Sequence, residues 1–278
     1  NVRDKLFMVD CGEGTQIQLR RSKVAFARIN HIFISHLHGD HCFGLLGMIS
    51  SFALLGRTAP LFIHAPKEMW SILGPELDFY CRDLEFQVEF QGFDPDTASI
   101  IYDDRSLTVS TIPLRHRIPC AGFLFKEKKT PDHLDRQWAD FYQVPMWDYN
   151  RIRNGGDFTM PDGTVIPHSR LTTPSPAPRS YAYCCDTAYN PAMIPLISGA
   201  DVIYHDCTYA IGEAQNAAKH FHSTASDAAN TALEAGVGKL ILGHFSARYN
   251  DEGILLDEAR QIFPNSVLAK ENLEIDIH

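Results

Sequence analysis

Short runs of β-branched and aromatic residues alternate along the chain with longer stretches whose apolar positions recur at helical spacing. The runs Leu6–Val9, Ile32–Ile34, Leu61–Ile63 and Leu107–Val109 predict strands, with helices predicted at Leu45–Leu55 and Lys67–Tyr80. The alternation returns in the second half, with strands at Tyr181–Cys185, Val202–Tyr204 and Lys239–Leu242 and helices at Thr224–Ala235 and Glu252–Phe263. Two halves of similar rhythm describe an α/β chain in which two sheets pack together and carry helices outside.

The rhythm breaks between Lys126 and Arg179. Gly155 and Gly156 adjoin there, Asp162-Gly163 predicts a hairpin turn, and Pro174, Pro176 and Pro178 crowd the end. The stretch reads as a protruding insertion in a single domain rather than as a packed layer. Charge sharpens the contrast. The 278 residues carry 25 Lys and Arg against 34 Asp and Glu, a net −9 that disfavours non-specific attraction to nucleic acid or anionic lipid. Arg115 to Ser180 nevertheless holds ten Lys or Arg against seven acids, so this stretch, which contains the insertion, is the basic part of an acidic protein.

Composition adds mainly exclusions. With 45% hydrophobic and 21% charged residues, the chain is globular and able to bury a sizeable core. The longest apolar run, Gly44–Leu55, is broken by Gly47, Ser50 and Ser51 and falls short of the ~20 residues of a membrane span. The seven cysteines form no C-x-x-C pair, which argues against a disulfide framework or zinc ribbon and for a reducing, cytoplasmic setting.

The chemistry concentrates in Ser35–His41, directly after a predicted strand and before a helical pattern. His36, His38, Asp40 and His41 place four metal-type side chains within six residues. A strand ending in a tight loop can aim His36 and His38 to one side, with Asp40 and His41 in the turn that opens the helix. Imidazole and carboxylate without thiolate suit a catalytic zinc, manganese or iron site rather than a structural zinc. Most other histidines, His31, His64, His133, His168, His220 and His278, have no partners in an interpretable pattern and read as structural or surface. Before the predicted helix at Thr224, either Ser223 or Thr224 is a plausible N-cap.

The string His36-Leu-His38-Gly-Asp40-His41 resembles the HxHxDH signature of the metallo-β-lactamase superfamily. That resemblance implies a four-layer αββα fold, with a protruding basic arm at 126–179 between the His116 and Asp186 strands. It also implies three more ligands at strand ends, which His116, Asp186 and His244 supply. His36, His38 and His116 would hold one metal, Asp40, His41 and His244 the other, and Asp186 would bridge two Zn2+, with Mn2+ or Fe2+ as substitutes. Two such metals bind a shared water and clamp the attacking and leaving oxygens of a displacement, making hydrolysis the natural reaction class. Asp40 could orient that water or accept its proton.

Further strings narrow the branch: Asp10-Cys-Gly-Glu-Gly-Thr-Gln16, His205-Asp-Cys-Thr208, His222-Ser-Thr-Ala225 and Gly243-His-Phe-Ser-Ala-Arg-Tyr249. Together, in order along nearly the whole chain, they resemble ribonuclease Z, the endonuclease that removes the 3′ trailer from precursor tRNA. The resemblance implies that a hydroxide held by two zinc ions attacks phosphorus while His222, held by Asp206, protonates the departing ribose 3′ oxygen. It further implies a homodimer in which the arm grips tRNA for the neighbouring subunit. Lys126, Lys128, Lys129, Arg151 and Arg153 in the arm, and Arg248 beyond His244, offer phosphate contacts, while Trp147 and Tyr149 could stack or anchor the hairpin. For Arg248, an ion pair within the fold is the equal alternative.

Three features depart from the family pattern. Asp206 stands where the family usually has glutamate, one methylene longer. Val144–Trp147 occupies the place of a Gly-Pro motif in the arm. Only nine residues precede Asp10, so N-terminal strand sequence is expected to be missing. The competing enzyme class is a small-molecule hydrolase of the same superfamily, a lactonase, thioesterase or arylsulfatase with the arm as a lid. Such an enzyme needs neither the His222-Ser-Thr string nor a basic arm. A β-lactamase is disfavoured because His41 follows Asp40 and no ligand cysteine appears in order. A non-catalytic RNA-binding scaffold would require a lost ligand, and none is lost.

Overall fold

The computed structural model describes residues 1–277, so His278 lies outside the described residues. Four parallel strands, in the spatial order Leu6–Val9, Ile29–Phe33, Leu61–Pro66 and Val88–Phe93, make the first sheet. The second is mixed, with seven strands in the order Ser266–Leu268, Lys239–Gly243, Val202–Asp206, Ser180–Cys184, Ala121–Glu127, Leu107–Pro113 and Ile100–Asp103. Its first four strands are mutually parallel, and its last two are antiparallel.

Each sheet buries one face under helices and the other against its partner. Ile32, Ile34 and Ile63 pack with Leu45, Met48, Ile49 and Phe52 of the helix Leu45–Leu54 and with Leu73 and Leu77 of the helix Trp70–Tyr80. The predicted helix Lys67–Tyr80 is in fact split, opening with a 3-10 turn at Lys67–Met69. On the second sheet Ala182, Ile203, Leu240 and Leu242 meet the helices Ala225–Ala235 and Gly253–Ile262. The first of these offers Ala225, Ala228, Ala229, Ala232 and Ala235, and such small side chains let a helix backbone approach a sheet closely. Phe33 lies between the sheets, its ring 5.5 Å from those of both Phe123 and Phe125. Each aromatic buried there contributes roughly 1.5–3 kcal/mol through lost apolar surface.

Residues 105–107 and 126–179 form a second compact unit. It has its own apolar core of Ala139, Val144, Ile152, Phe158, Ile166 and Leu171, with Tyr149 packed against it. Asp135 caps the helix Arg136–Phe141 by accepting from the amides of Gln137 and Trp138. The strands Phe158–Thr159 and Val165–Ile166 pair as a hairpin whose turn places Gly163 at φ +88°, a conformation that favours glycine. Glu127 and Arg179 close the unit with a two-pronged ion pair, Oε1 accepting from Nη2 at 2.8 Å and Oε2 from Nε at 3.0 Å.

Candidate metal centre

The ends of several strands converge on one point. Three site residues follow strands directly and adopt left-handed backbone: Asp10 after Leu6–Val9 (φ 59°), Asp186 just beyond Ser180–Cys184 (φ 48°) and His244 after Lys239–Gly243 (φ 60°). Non-glycine residues rarely take this conformation, and its clustering at one place is typical of functional sites. The loop after Asp10 is drawn tight by Gly12, where a Cβ would meet the Asp40 carbonyl oxygen at 2.1 Å.

Two sets of donor atoms result. His36 Nε2, His38 Nδ1 and His116 Nε2 approach one another to 3.0 Å (His36–His38) and 3.2 Å (His116–His38), with Asp186 Oδ2 3.6 Å from His36 and 3.8 Å from His116. For comparison, zinc–nitrogen bonds of 2.0–2.1 Å give a tetrahedral N···N edge of roughly 3.3 Å. Asp186 then turns its other oxygen, Oδ1, toward His41 Nε2 at 3.5 Å and His244 Nε2 at 3.3 Å. One carboxylate therefore faces two sets of imidazoles, and the donor chemistry fits a pair of divalent cations. Asp40 is largely exposed and touches this second set through His41 Nε2 at 3.5 Å. A thiol enters where sequence reading expected none: Cys185 Sγ lies 2.7 Å from Asp186 Oδ1 and within ligand reach of His41 and His244.

The imidazoles are held from behind. Ser35 Oγ lies 2.9 Å from His36 Nδ1, Asp10 Oδ2 is 2.8 Å from His41 Nδ1, the Phe221 carbonyl accepts from His116 Nδ1 at 3.2 Å, and Thr208 Oγ1 lies 2.8 Å from His244 Nδ1. Such outer partners fix the tautomer and ring orientation that metal binding needs. Asp10 is the support that sequence reading missed: besides His41 it accepts from the amide and hydroxyl of Ser35 and from the hydroxyl of Tyr183. Its presence in the Asp10–Gln16 string was the available signal.

The two sets differ in charge. Burial, reinforced by the neighbouring imidazoles His41, His116, His38 and His244, lowers the His36 pKa to about 2. His41 is opposite: burial disfavours its charge, but the Asp10 hydrogen bond and the charges of Asp10, Asp186 and Asp40 prevail and raise it to about 9.

Beside the cluster, His222 Nδ1 donates to Asp206 Oδ2 at 2.7 Å. Asp206 ends the strand Val202–Asp206, fully buried, and accepts further hydrogen bonds from the Thr187 amide and from the Thr208 amide and hydroxyl. Burial would raise its pKa, but the His222 hydrogen bond, the His244 and His222 charges and Thr208 hold it below the usual carboxylate range. Burial also opposes charge on His222, yet the Asp206 hydrogen bond and the Asp206 and Asp186 charges raise it above the ordinary imidazole value. Thr224, rather than Ser223, is the N-cap that follows, in a reciprocal capping box with Asp227. His222 also stacks on His244, ring centroids 4.9 Å apart.

The other predicted contacts scatter. Arg248 ion-pairs with Glu213 and lies over the Tyr209 ring, so in this state it is engaged within the fold. In the 126–179 unit Arg151 pairs with Asp148 and Arg153 donates to the Asp132 carbonyl. Lys126 and Lys129 are exposed, Lys128 is half-buried, and Trp147 is 80% exposed.

The two-sheet fold and the strand-end cluster of histidines and aspartates define a metallo-β-lactamase-fold hydrolase. The short form of human tRNase Z shares this fold, with TM-score 0.69 at 22% identity over all of this chain and 90% of that one. The family described as anti-Pycsar protein Apyc1 matches residues 1–129. A ribonuclease Z of Phocaeicola vulgatus is 58% identical and one of Bacteroides fragilis 57% identical, each over all of this chain and about nine-tenths of the relative. The chain belongs to the ribonuclease Z family.

Proposed function

We infer that the protein is a metal-dependent endoribonuclease that removes the 3′ trailer from precursor tRNA and leaves a 3′-OH on the tRNA. The 58% identity to a ribonuclease Z, over all of this chain and 90% of the relative, carries this reading. Two zinc ions, the first with His36, His38 and His116 and the second with Asp40, His41 and His244, Asp186 between them, would supply an activated water nucleophile and neutralise charge on the phosphodiester. Asp40, at the exposed edge of the second set, orients the attacking water. His222, kept protonated by Asp206, donates its proton to the departing ribose 3′ oxygen.

The unit at 126–179 is the arm that grips tRNA, through Lys126, Lys128, Lys129, Arg151 and Arg153 on phosphates, with Trp147 exposed for stacking on a base. Arg248 would join them by exchanging its Glu213 partner for phosphate. The protein acts as a homodimer, the arm serving the neighbouring subunit. Seven free cysteines support a cytoplasmic setting, and among the described residues no helix is long and apolar enough to cross a membrane.

The test is a gel assay of zinc-loaded protein on a precursor tRNA with a 3′ trailer. A single cut after the discriminator base, abolished by Asp40→Ala, is the expected result. His38→Ala and Asp186→Ala should lose metal and activity together. Full metal content and activity in both would overturn the site, and cleavage of bis(p-nitrophenyl) phosphate alone would move the small-molecule hydrolase forward.

A further inference from the structure

Four of the five ligand-type histidines back onto an oxygen: the Ser35 hydroxyl, the Asp10 carboxylate, the Phe221 carbonyl or the Thr208 hydroxyl. His38 does not. Its Nδ1 faces the cluster, and its outward Nε2 meets Arg117 Nη2 at 3.4 Å. A guanidinium has donors only, and an imidazole that binds a metal through Nδ1 carries its proton on Nε2. Arg117 therefore cannot hold His38 in the binding tautomer as the other four partners can. It needs another role.

Arg117 is exposed, and among the described residues no carboxylate lies within ion-pair distance of it. Its guanidinium stands against the outer edge of the His38 ring, at the rim of the donor cluster. The chain itself enforces this position. Arg117 directly follows His116, whose ring sits 5.2 Å from that of His222 and 5.0 Å from that of His38. A phosphodiester lying between the His38 and His222 sides would come against this cation, and the planar fork of a guanidinium matches paired phosphate oxygens.

We propose that Arg117 is a substrate-binding residue whose guanidinium takes a non-bridging oxygen of the scissile phosphodiester. The inference rests on the endoribonuclease reading and adds a phosphate contact supplied by the chain itself, on the open side of the cluster.

The test compares zinc-loaded wild type, Arg117→Ala and Arg117→Lys. Metal content and thermal midpoint are measured first, then binding of inorganic phosphate by calorimetry, then kcat/KM on precursor tRNA and on bis(p-nitrophenyl) phosphate. Expected for Arg117→Ala is unchanged metal content and melting, with phosphate affinity and both kcat/KM values lowered about 10- to 100-fold. Arg117→Lys should recover part of each, because it restores charge without the fork. Values within twofold of wild type would overturn the proposal, and so would loss of metal in parallel with activity. A loss confined to precursor tRNA would overturn the scissile assignment in favour of a flanking phosphate. A wild type that binds phosphate yet cleaves neither substrate would remove the endoribonuclease reading, leaving the phosphate titration alone to decide on Arg117.

Discussion

Nδ1 of His222 and Oδ2 of Asp206 stand 2.7 Å apart, with the carboxylate wholly buried. The shorter aspartate thus reaches the histidine directly. The Thr187 and Thr208 hydrogen bonds aim it, and against its burial the His222 hydrogen bond with the His244 and His222 charges holds its pKa below the usual carboxylate range, so its charge acts on His222 in a region of low dielectric.

Asp206→Asn should keep the fold and the metal content but lower kcat on precursor tRNA about 100-fold, because a neutral amide no longer favours the imidazolium. Asp206→Ala adds a stability loss of about 3 kcal/mol, since buried donors on Thr187 and Thr208 lose their acceptor. Single-turnover kinetics and urea unfolding separate the two effects.

His222 should reveal itself by pH and by leaving group. Against burial, the Asp206 hydrogen bond raises its pKa above the ordinary imidazole value, so the protonated form extends to higher pH than in a free imidazole, and activity that needs it declines as pH rises through that pKa. His222→Ala should cost about 10²- to 10⁴-fold in kcat on precursor tRNA and flatten the alkaline limb of the profile. On bis(p-nitrophenyl) phosphate, whose leaving group departs without a proton, the same variant should lose less than tenfold. Equal losses on both substrates would rule out the general-acid role.

Metal loading should be stepwise. His36 is neutral at any ordinary pH, so its set is ready to bind, whereas His41, with a pKa raised to about 9, must release a proton first. The second metal should therefore bind about tenfold more weakly for each pH unit below 9, and the first much less so. The sign for the metal-free protein is opposite: a raised histidine pKa stabilises the fold below the unfolded value near 6.5, and this contribution fades as pH rises through about 9. Calorimetric zinc titrations at pH 6.5 and 8.5 would show the difference in the second step, with proton release read from buffers of different ionisation enthalpy.

Asp10→Asn should weaken the second metal about 10- to 100-fold and leave the first within a factor of two, because Asp10 holds His41 directly. Metal stoichiometry after dialysis against a weak chelator checks this. Since Asp10 also anchors Ser35 and Tyr183, a fall of a few degrees in melting temperature is expected alongside.

Salt should act through the basic residues of the arm. If five cations there contact phosphates, log KM for precursor tRNA should rise steeply with log salt, and each Lys or Arg to Ala change should reduce the slope by about one. Hydrolysis of bis(p-nitrophenyl) phosphate should respond weakly.

Much of this protein is written locally. The strand Leu6–Val9 matches its expected bounds, and the helices at Leu45 and Thr224 differ by one residue at an end, because periodicity and capping are short-range properties. The histidine string was legible because its members are neighbours in sequence. By contrast, the strands Val88–Phe93 and Ala121–Glu127 went unread, since Glu89, Gln91 and Gly92 in one and Ala121, Gly122 and Lys126 in the other interrupt the β-branched and aromatic run that marks a strand locally, and the sheets complete what the local pattern lacks. Arg248 could not be resolved from sequence, and the fold gave it Glu213.

What the sequence by itself determined is which side chains are present and on which short elements they ride: an imidazole–carboxylate set at strand ends, an aspartate–histidine pair and a basic insertion. Only the tertiary structure decided that Asp186 turns one oxygen to each donor set, that Asp10 stands behind His41, that Cys185 enters ligand reach, and that Arg117 faces His38 with a donor where its neighbours offer an acceptor. The physical reason is distance. A carboxylate, a thiol or a guanidinium acts over a few ångströms, and tens of residues of chain come within that reach only when two sheets close on a common core.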